Sequence, residues 1–229
     1  MSCNGGNVAI QAPPLDSGHT SDSAIRPAPV AAPLHGSVDV LLWDIKDPSR
    51  HGASIRDASA RPIRHSDKVR LNMTVNRPGY VYLVWIDGQG KAFPVYPWRP
   101  GDWRNRPERE QPIEHLSLPA DAAQGWPMGG VRGMETILLL ARDTPLPSGV
   151  DLENAVAGLQ PQSLQNPDAL VEFETGRPIS ESMDHSRAPQ FFDAQRIDDP
   201  LLQNQQLIQE RLERHFSWIS AVSFANRGE

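Results

Sequence analysis

The sequence predicts a mainly β domain, an antiparallel β-sandwich of the immunoglobulin-like type with one amphipathic helix near the C-terminus. Three observations carry that expectation. Val69, Leu71, Met73 and Val75 alternate with Arg70, Asn72, Thr74 and Asn76, the period-two pattern of a strand with one buried face. Tyr80 to Ile86 (YVYLVWI) then runs without a polar residue, as a strand buried on both faces does. Far downstream, Leu201, Ile208, Leu212 and Phe216 recur at helical spacing.

Taken in order, residues 1–35 are rich in Pro, Ala, Ser and Gly, with Pro13, Pro14, Pro27, Pro29 and Pro33 scattered through. Such a segment buries too little apolar surface to offset its ordering entropy, so a disordered arm or linker is expected there. The domain itself is expected over residues 36–229. Val38 to Trp43 is the first strand signal, and His51 to Arg64 reads as a loop, or a short strand near Ile63. Arg77-Pro78-Gly79 is expected to end the alternating strand and turn the chain into the next one. Asp87-Gly88-Gln89-Gly90 makes the following turn. Lys91 to Tyr96 returns as a third strand, whose Pro94 points to an edge or a bulge.

Trp98 to Leu118 is irregular and charge-balanced, with a short strand at its end. Trp126 to Gly133 is glycine-rich, and Met134 to Ala141 (METILLLA) is a buried strand. Asp151 to Leu159 has weak helical periodicity, and Leu170 to Phe173 reads as a strand. Asp199 before Pro200 is an N-cap with proline at the first helical position, so a helix is expected over 200–216. Its stripe of Leu201, Ile208, Leu212 and Phe216 should face the core, with Gln205, Gln209 and Glu213 away from it. Trp218 to Phe224 is too apolar for a tail and reads as a closing strand.

Composition narrows the function. The chain of 229 residues carries a formal charge of −6, which argues against a general nucleic-acid binder. Its single cysteine, Cys3, excludes an internal disulfide framework and demands no oxidising compartment. The longest apolar runs are too short to span a bilayer, and MSCNGGNVAI lacks the pattern of a secretory signal, so no membrane insertion and a cytoplasmic location are expected.

At Asn76-Arg77-Pro78-Gly79-Tyr80-Val81-Tyr82-Leu83 the chain resembles the bacterial domain of unknown function family 4384. The resembling residues continue through Asp87, Gly90 and Lys91 to Tyr96 and Pro97, and return in Gly133 to Ile137 and Asp198 to Gly228. The resemblance covers roughly residues 36–228. It implies a domain appended to Ser/Thr kinases or caspase-like peptidases, with no catalytic role and no cofactor. The kinase signatures themselves are missing from this chain: there is no His-Arg-Asp and no Asp-Phe-Gly.

Candidate chemistry is sparse. His65-Ser66-Asp67 holds three triad residue types, but adjacent residues on an extended chain point to opposite faces. His185 follows Asp184 without any metal-ligand spacing. Gly129-Gly130-Val131-Arg132-Gly133 lacks the helix that a phosphate cradle needs and reads as a connector with positive φ. Asp198-Asp199 is explained by helix capping. Trp98, Arg99, Trp103, Arg104 and Trp126 form the candidate binding surface, since Trp and Arg dominate interaction hot spots. The competing reading packs these tryptophans over the open end of the sandwich and pairs the arginines with Glu108 and Glu110. The functional expectation is a non-enzymatic accessory, sensor or interaction module binding a protein or a small ligand. A hydrolase with a dispersed active site is the alternative.

Overall fold

The computed structural model describes residues 32–43, 47–61, 63–162, 169–175 and 199–228. Most of the expected arm, Cys3, Asp184, His185 and Asp198 lie outside the described residues. Pro33–Glu229 forms one compact unit. Pro33 to His35, expected in the arm, are already held in it. Leu34 is 2% exposed, and Asn76 Nδ2 donates to the Pro33 carbonyl at 3.0 Å.

The molecule is mainly antiparallel β, and among the described residues eight strands form one curled sheet. Strand β2 (Lys68–Ile86, 19 residues) makes the curl. Its first half pairs with β1 (Gly36–Leu42), β4 (Ile113–Leu118) and β5 (Trp126–Pro127). Its second half pairs with β3 (Ala92–Tyr96) and β6 (Gly133–Arg142). Beyond β6 come β8 (Trp218–Asn226) and then β7 (Leu170–Thr175), both antiparallel.

The expected turn at Pro78-Gly79 is therefore corrected. The chain continues through it, and Gly79 is not among the residues with positive φ. The β2–β4 register slips between Thr74 and Gly79, so this is where the strand changes partners. Proline cannot donate to a ladder, so a change of partner strand is a position that tolerates it. A Cβ on Gly79 would sit 3.1 Å from two Leu34 carbons, so close packing is the local demand. Pro94 behaves as expected: among the described residues β3 pairs with β2 alone, with a register slip opposite Leu83 and Val84.

Period-two alternation divides β2, β6 and β8 between two apolar clusters. Val81, Leu83, Ile137, Leu139, Val222 and Phe224 enter one, enclosed by the curl. Tyr82, Val84, Ile86, Leu138, Leu140 and Ile219 enter the other, on the outer face. The helices α1 (Leu152–Ala155) and α2 (Pro200–Leu212) cover that outer face. Such strands must be apolar throughout, which explains the runs YVYLVWI and METILLLA.

Helix α2 starts as expected, with Asp199 Oδ1 accepting from Leu201 N at 2.9 Å. It ends at Leu212 rather than 216, and Phe216 reaches the cluster from the turn beyond. Leu201, Ile208 and Leu212 are buried, and Glu213 is exposed. Gln205 is 4% exposed and not on the solvent face. The reason is spacing: it stands four residues after Leu201 and three before Ile208, on the same stripe. Among the described residues, neither its Nε2 nor its Oε1 has a hydrogen-bond partner. No helix among the described residues is long and apolar enough to cross a membrane.

Candidate functional site: an aromatic cleft with a buried carboxyl

The cleft lies where β2, β3, β5 and the start of β6 converge, and it has a volume of about 430 Å3. Trp85, Phe93, Val95, Trp126 and Met128 supply its apolar lining, and Glu135 its buried carboxyl. Strand pairing assembles it. Trp85 stands opposite Phe93 on β3 and opposite Ile137 on β6. Glu135, two residues before Ile137, is thus the diagonal neighbour of Trp85 on the same face. Trp126 follows from the pairing of β5 with Val69, and its indole lies 6.4 Å from that of Trp85 at 61°.

Glu135 is 3% exposed, and both its oxygens are engaged. Oε2 accepts from Trp85 Nε1 at 2.6 Å, and Oε1 accepts from Asn226 Nδ2 at 3.0 Å. Burial is the largest influence on this carboxyl and raises its pKa above the usual carboxylate value. The Asn226 and Trp85 hydrogen bonds oppose that shift, and nearby Asp87 adds to it. Asp87 also lines the cleft. Its Oδ1 accepts from Gln89 N and Lys91 N, both at 2.9 Å, which ties the β2–β3 turn. Gly90 in that turn has φ +79, and a Cβ there would meet the Leu159 carbonyl at 2.5 Å, so only glycine fits.

The five candidate surface residues do not form one patch. Trp98 is 6% exposed, meets Tyr82 at a tilt with centroids 5.8 Å apart and Trp103 edge-to-face at 5.2 Å, and belongs to the outer cluster. Arg99 and Arg104 are exposed on the turn that follows, where Asp102 Oδ1 accepts from Arg104 N at 3.0 Å. Trp126 lines the cleft, to which Pro100 and Gly101 of that turn also contribute. The carboxylate pairing expected for Arg99 and Arg104 falls instead to Arg106, whose Nε donates to Glu110 at 2.5 Å. Glu110 also accepts from the Tyr82 hydroxyl, and that hydroxyl accepts from Leu146 N at 2.7 Å. Burial and the Glu110 contact push the Tyr82 phenol well above its ordinary pKa. This network fastens the 106–110 and 145–146 loops to the sheet.

Of the other residues weighed for chemistry, His65 and Ser66 are exposed whereas Asp67 is fully buried in a bidentate pair with Arg50 at 2.9 and 3.0 Å. Those three residues make no triad. In the connector before β6, Gly130 has φ +89, as expected of a turn.

Sequence reading missed Trp85, Phe93, Glu135 and Asn226. One signal was available: Glu135 is the one acid in a strand that is apolar from Ile137 to Ala141, and a buried acid there needs donors. Its donors come from residues 50 before it and 91 after it, which no local pattern reveals.

Comparison with protein-family models, curated proteins and solved structures finds no match to this chain.

Proposed function

We propose that this chain is a non-enzymatic binding module whose aromatic cleft takes a small ligand, in the setting of an accessory or sensor domain of a bacterial signalling protein. The cleft is the observation that carries the binding role. Three aromatic rings and a buried carboxyl converge in a cavity within the volume range of small-molecule sites. Both carboxyl oxygens already accept a hydrogen bond, so the site orients and does not begin as a free base. The signalling setting rests on the resemblance of residues 76–83 and their downstream counterparts to domains appended to Ser/Thr kinases.

A hydrolase is the second reading, favoured by Asp87 and Glu135 lining the same cleft. Acid–base work requires two titratable groups converging on one reacting atom. Asp87 instead has one oxygen committed to its turn.

The test is a screen of small apolar and aromatic compounds against the full chain, followed by tryptophan fluorescence and indole N–H signals. Binding that shifts Trp85 and Trp126 and is lost in Trp126→Ala is expected. Turnover of ester or glycoside substrates that disappears in Asp87→Asn would overturn the binding-module reading in favour of the hydrolase.

A further inference from the structure

We propose that the cleft selects a small organic cation, a quaternary or methylated ammonium, through the faces of Trp85, Trp126 and Phe93 and the carboxyls of Glu135 and Asp87. The inference rests on the binding-module reading above and names its ligand class.

Charge comes first. Among the described residues that line the cleft, two carry carboxyls and none is Lys, Arg or His. The described lining itself supplies no unlike charge to these carboxyls, and a ligand cation would supply one inside the cleft, beyond the Lys91 ammonium at its rim. Burial disfavours a lone carboxylate at Glu135, and a cation arriving beside it offsets that cost. An anion would meet two like charges in a partly dry site.

Geometry comes second. A cation is drawn to an aromatic face within about 6 Å of the ring centroid, because the quadrupole places negative potential there. The two indoles meet at 61° with centroids 6.4 Å apart, so they form the corner of a box. Glu135 fixes one wall, since its bond to Trp85 Nε1 at 2.6 Å holds that ring in place. Accepting the indole N–H hydrogen bond also enriches the π-system of that ring. The chain already displays this chemistry at the rim, where the Lys91 ammonium sits 4.8 Å from the Phe93 ring centroid.

Shape comes third. Gly129 and Gly130 line the cleft, and a Cβ on either would meet nothing within 4 Å, so this side carries no obstructing side chain. A methylated ammonium suits such a site better than a primary one. Its methyl groups are weakly hydrated and pack on rings without needing three acceptors.

The experiment titrates the full chain with three probes of nearly one shape. These are choline, its neutral carbon isostere 3,3-dimethylbutan-1-ol, and the anion 3,3-dimethylbutanoate. Calorimetry gives affinity, and the indole N–H signals of Trp85 and Trp126 report the site. Choline is expected to bind at least about tenfold more tightly than the alcohol, with the anion weakest. Phe93→Leu keeps an apolar side chain and removes a π-face, and Glu135→Gln removes a charge. Each should reduce the preference for choline over the alcohol at least about threefold. Equal or tighter binding of the alcohol at these tryptophans would overturn the cation assignment and leave the binding module standing. A choline preference unchanged in both variants would also overturn it. If none of the probes moves either indole, the cation assignment falls, and the compound screen then decides the cleft itself.

Discussion

Replacing Gln205 by Met should make the protein more stable, although it removes a polar residue from a helix. Gln205 is 4% exposed, on the α2 stripe that packs against the outer face of the sheet. Its amide nitrogen and oxygen have no hydrogen-bond partner among the described residues. A buried polar group left unpaired costs about 1–3 kcal/mol in lost hydration. Methionine has nearly the same length, bends to fill irregular space and keeps helix propensity, so little of that gain is returned as strain. The expected rise is about 1–3 kcal/mol, which for a chain of this size lifts the melting temperature by roughly 2–4 °C per kcal/mol. Urea unfolding followed by tryptophan fluorescence, with the slope unchanged, measures it. Gln205→Ala is the control, since it also removes the amide but opens a cavity and should gain less or lose stability. A loss of more than about 0.5 kcal/mol in Gln205→Met would refute the reasoning and show that the amide is bonded in the native fold.

Three further outcomes follow from the same packing. Leu212 is 0% exposed, so Leu212→Ala should cost roughly 2–4 kcal/mol, while exposed Glu213→Ala should stay within about 0.5 kcal/mol by the same unfolding assay. A Cβ on Gly133 would lie 2.7 Å from the Gly88 Cα and 2.8 Å from the Gln162 carbonyl. Gly133→Ala should therefore cost about 1–3 kcal/mol, whereas Gly129→Ala, which meets open space, should be near neutral within about 0.5 kcal/mol on urea unfolding. Glu135 has its pKa raised in the fold from an ordinary 4.5, so the folded state holds its proton more tightly than the unfolded chain. That contribution to stability is present below about pH 4.5 and is lost as pH rises through the folded pKa. Wild type should lose stability relative to Glu135→Gln over that rise, and parallel stability–pH curves would exclude the mechanism.

The mainly β class, the helix start at Asp199 and the closing strand were legible in the sequence because each depends on local periodicity or local capping. Val69 to Val75 and Leu201 to Leu212 state their buried faces through spacing alone. Gln205 was misplaced because polarity was read before position, and its spacing from Leu201 and Ile208 held the answer. The continuity of β2 through Pro78-Gly79 was not legible. Proline and glycine mark a break in local preference, and only the partner strands decide whether the chain turns or changes sheet neighbours. The site lay further out of reach. Tryptophan content pointed to Trp98, Trp103 and Trp126 together, yet Trp98 faces the outer cluster and Trp126 lines the cleft. Trp85, Phe93, Glu135 and Asn226 meet through three different strand pairings, and register across strands is a property of the assembled sheet. Sequence by itself determined which segments bury which faces, since that is a matter of period. Tertiary structure alone decided which buried faces meet, and so where an aromatic corner closes over a carboxyl.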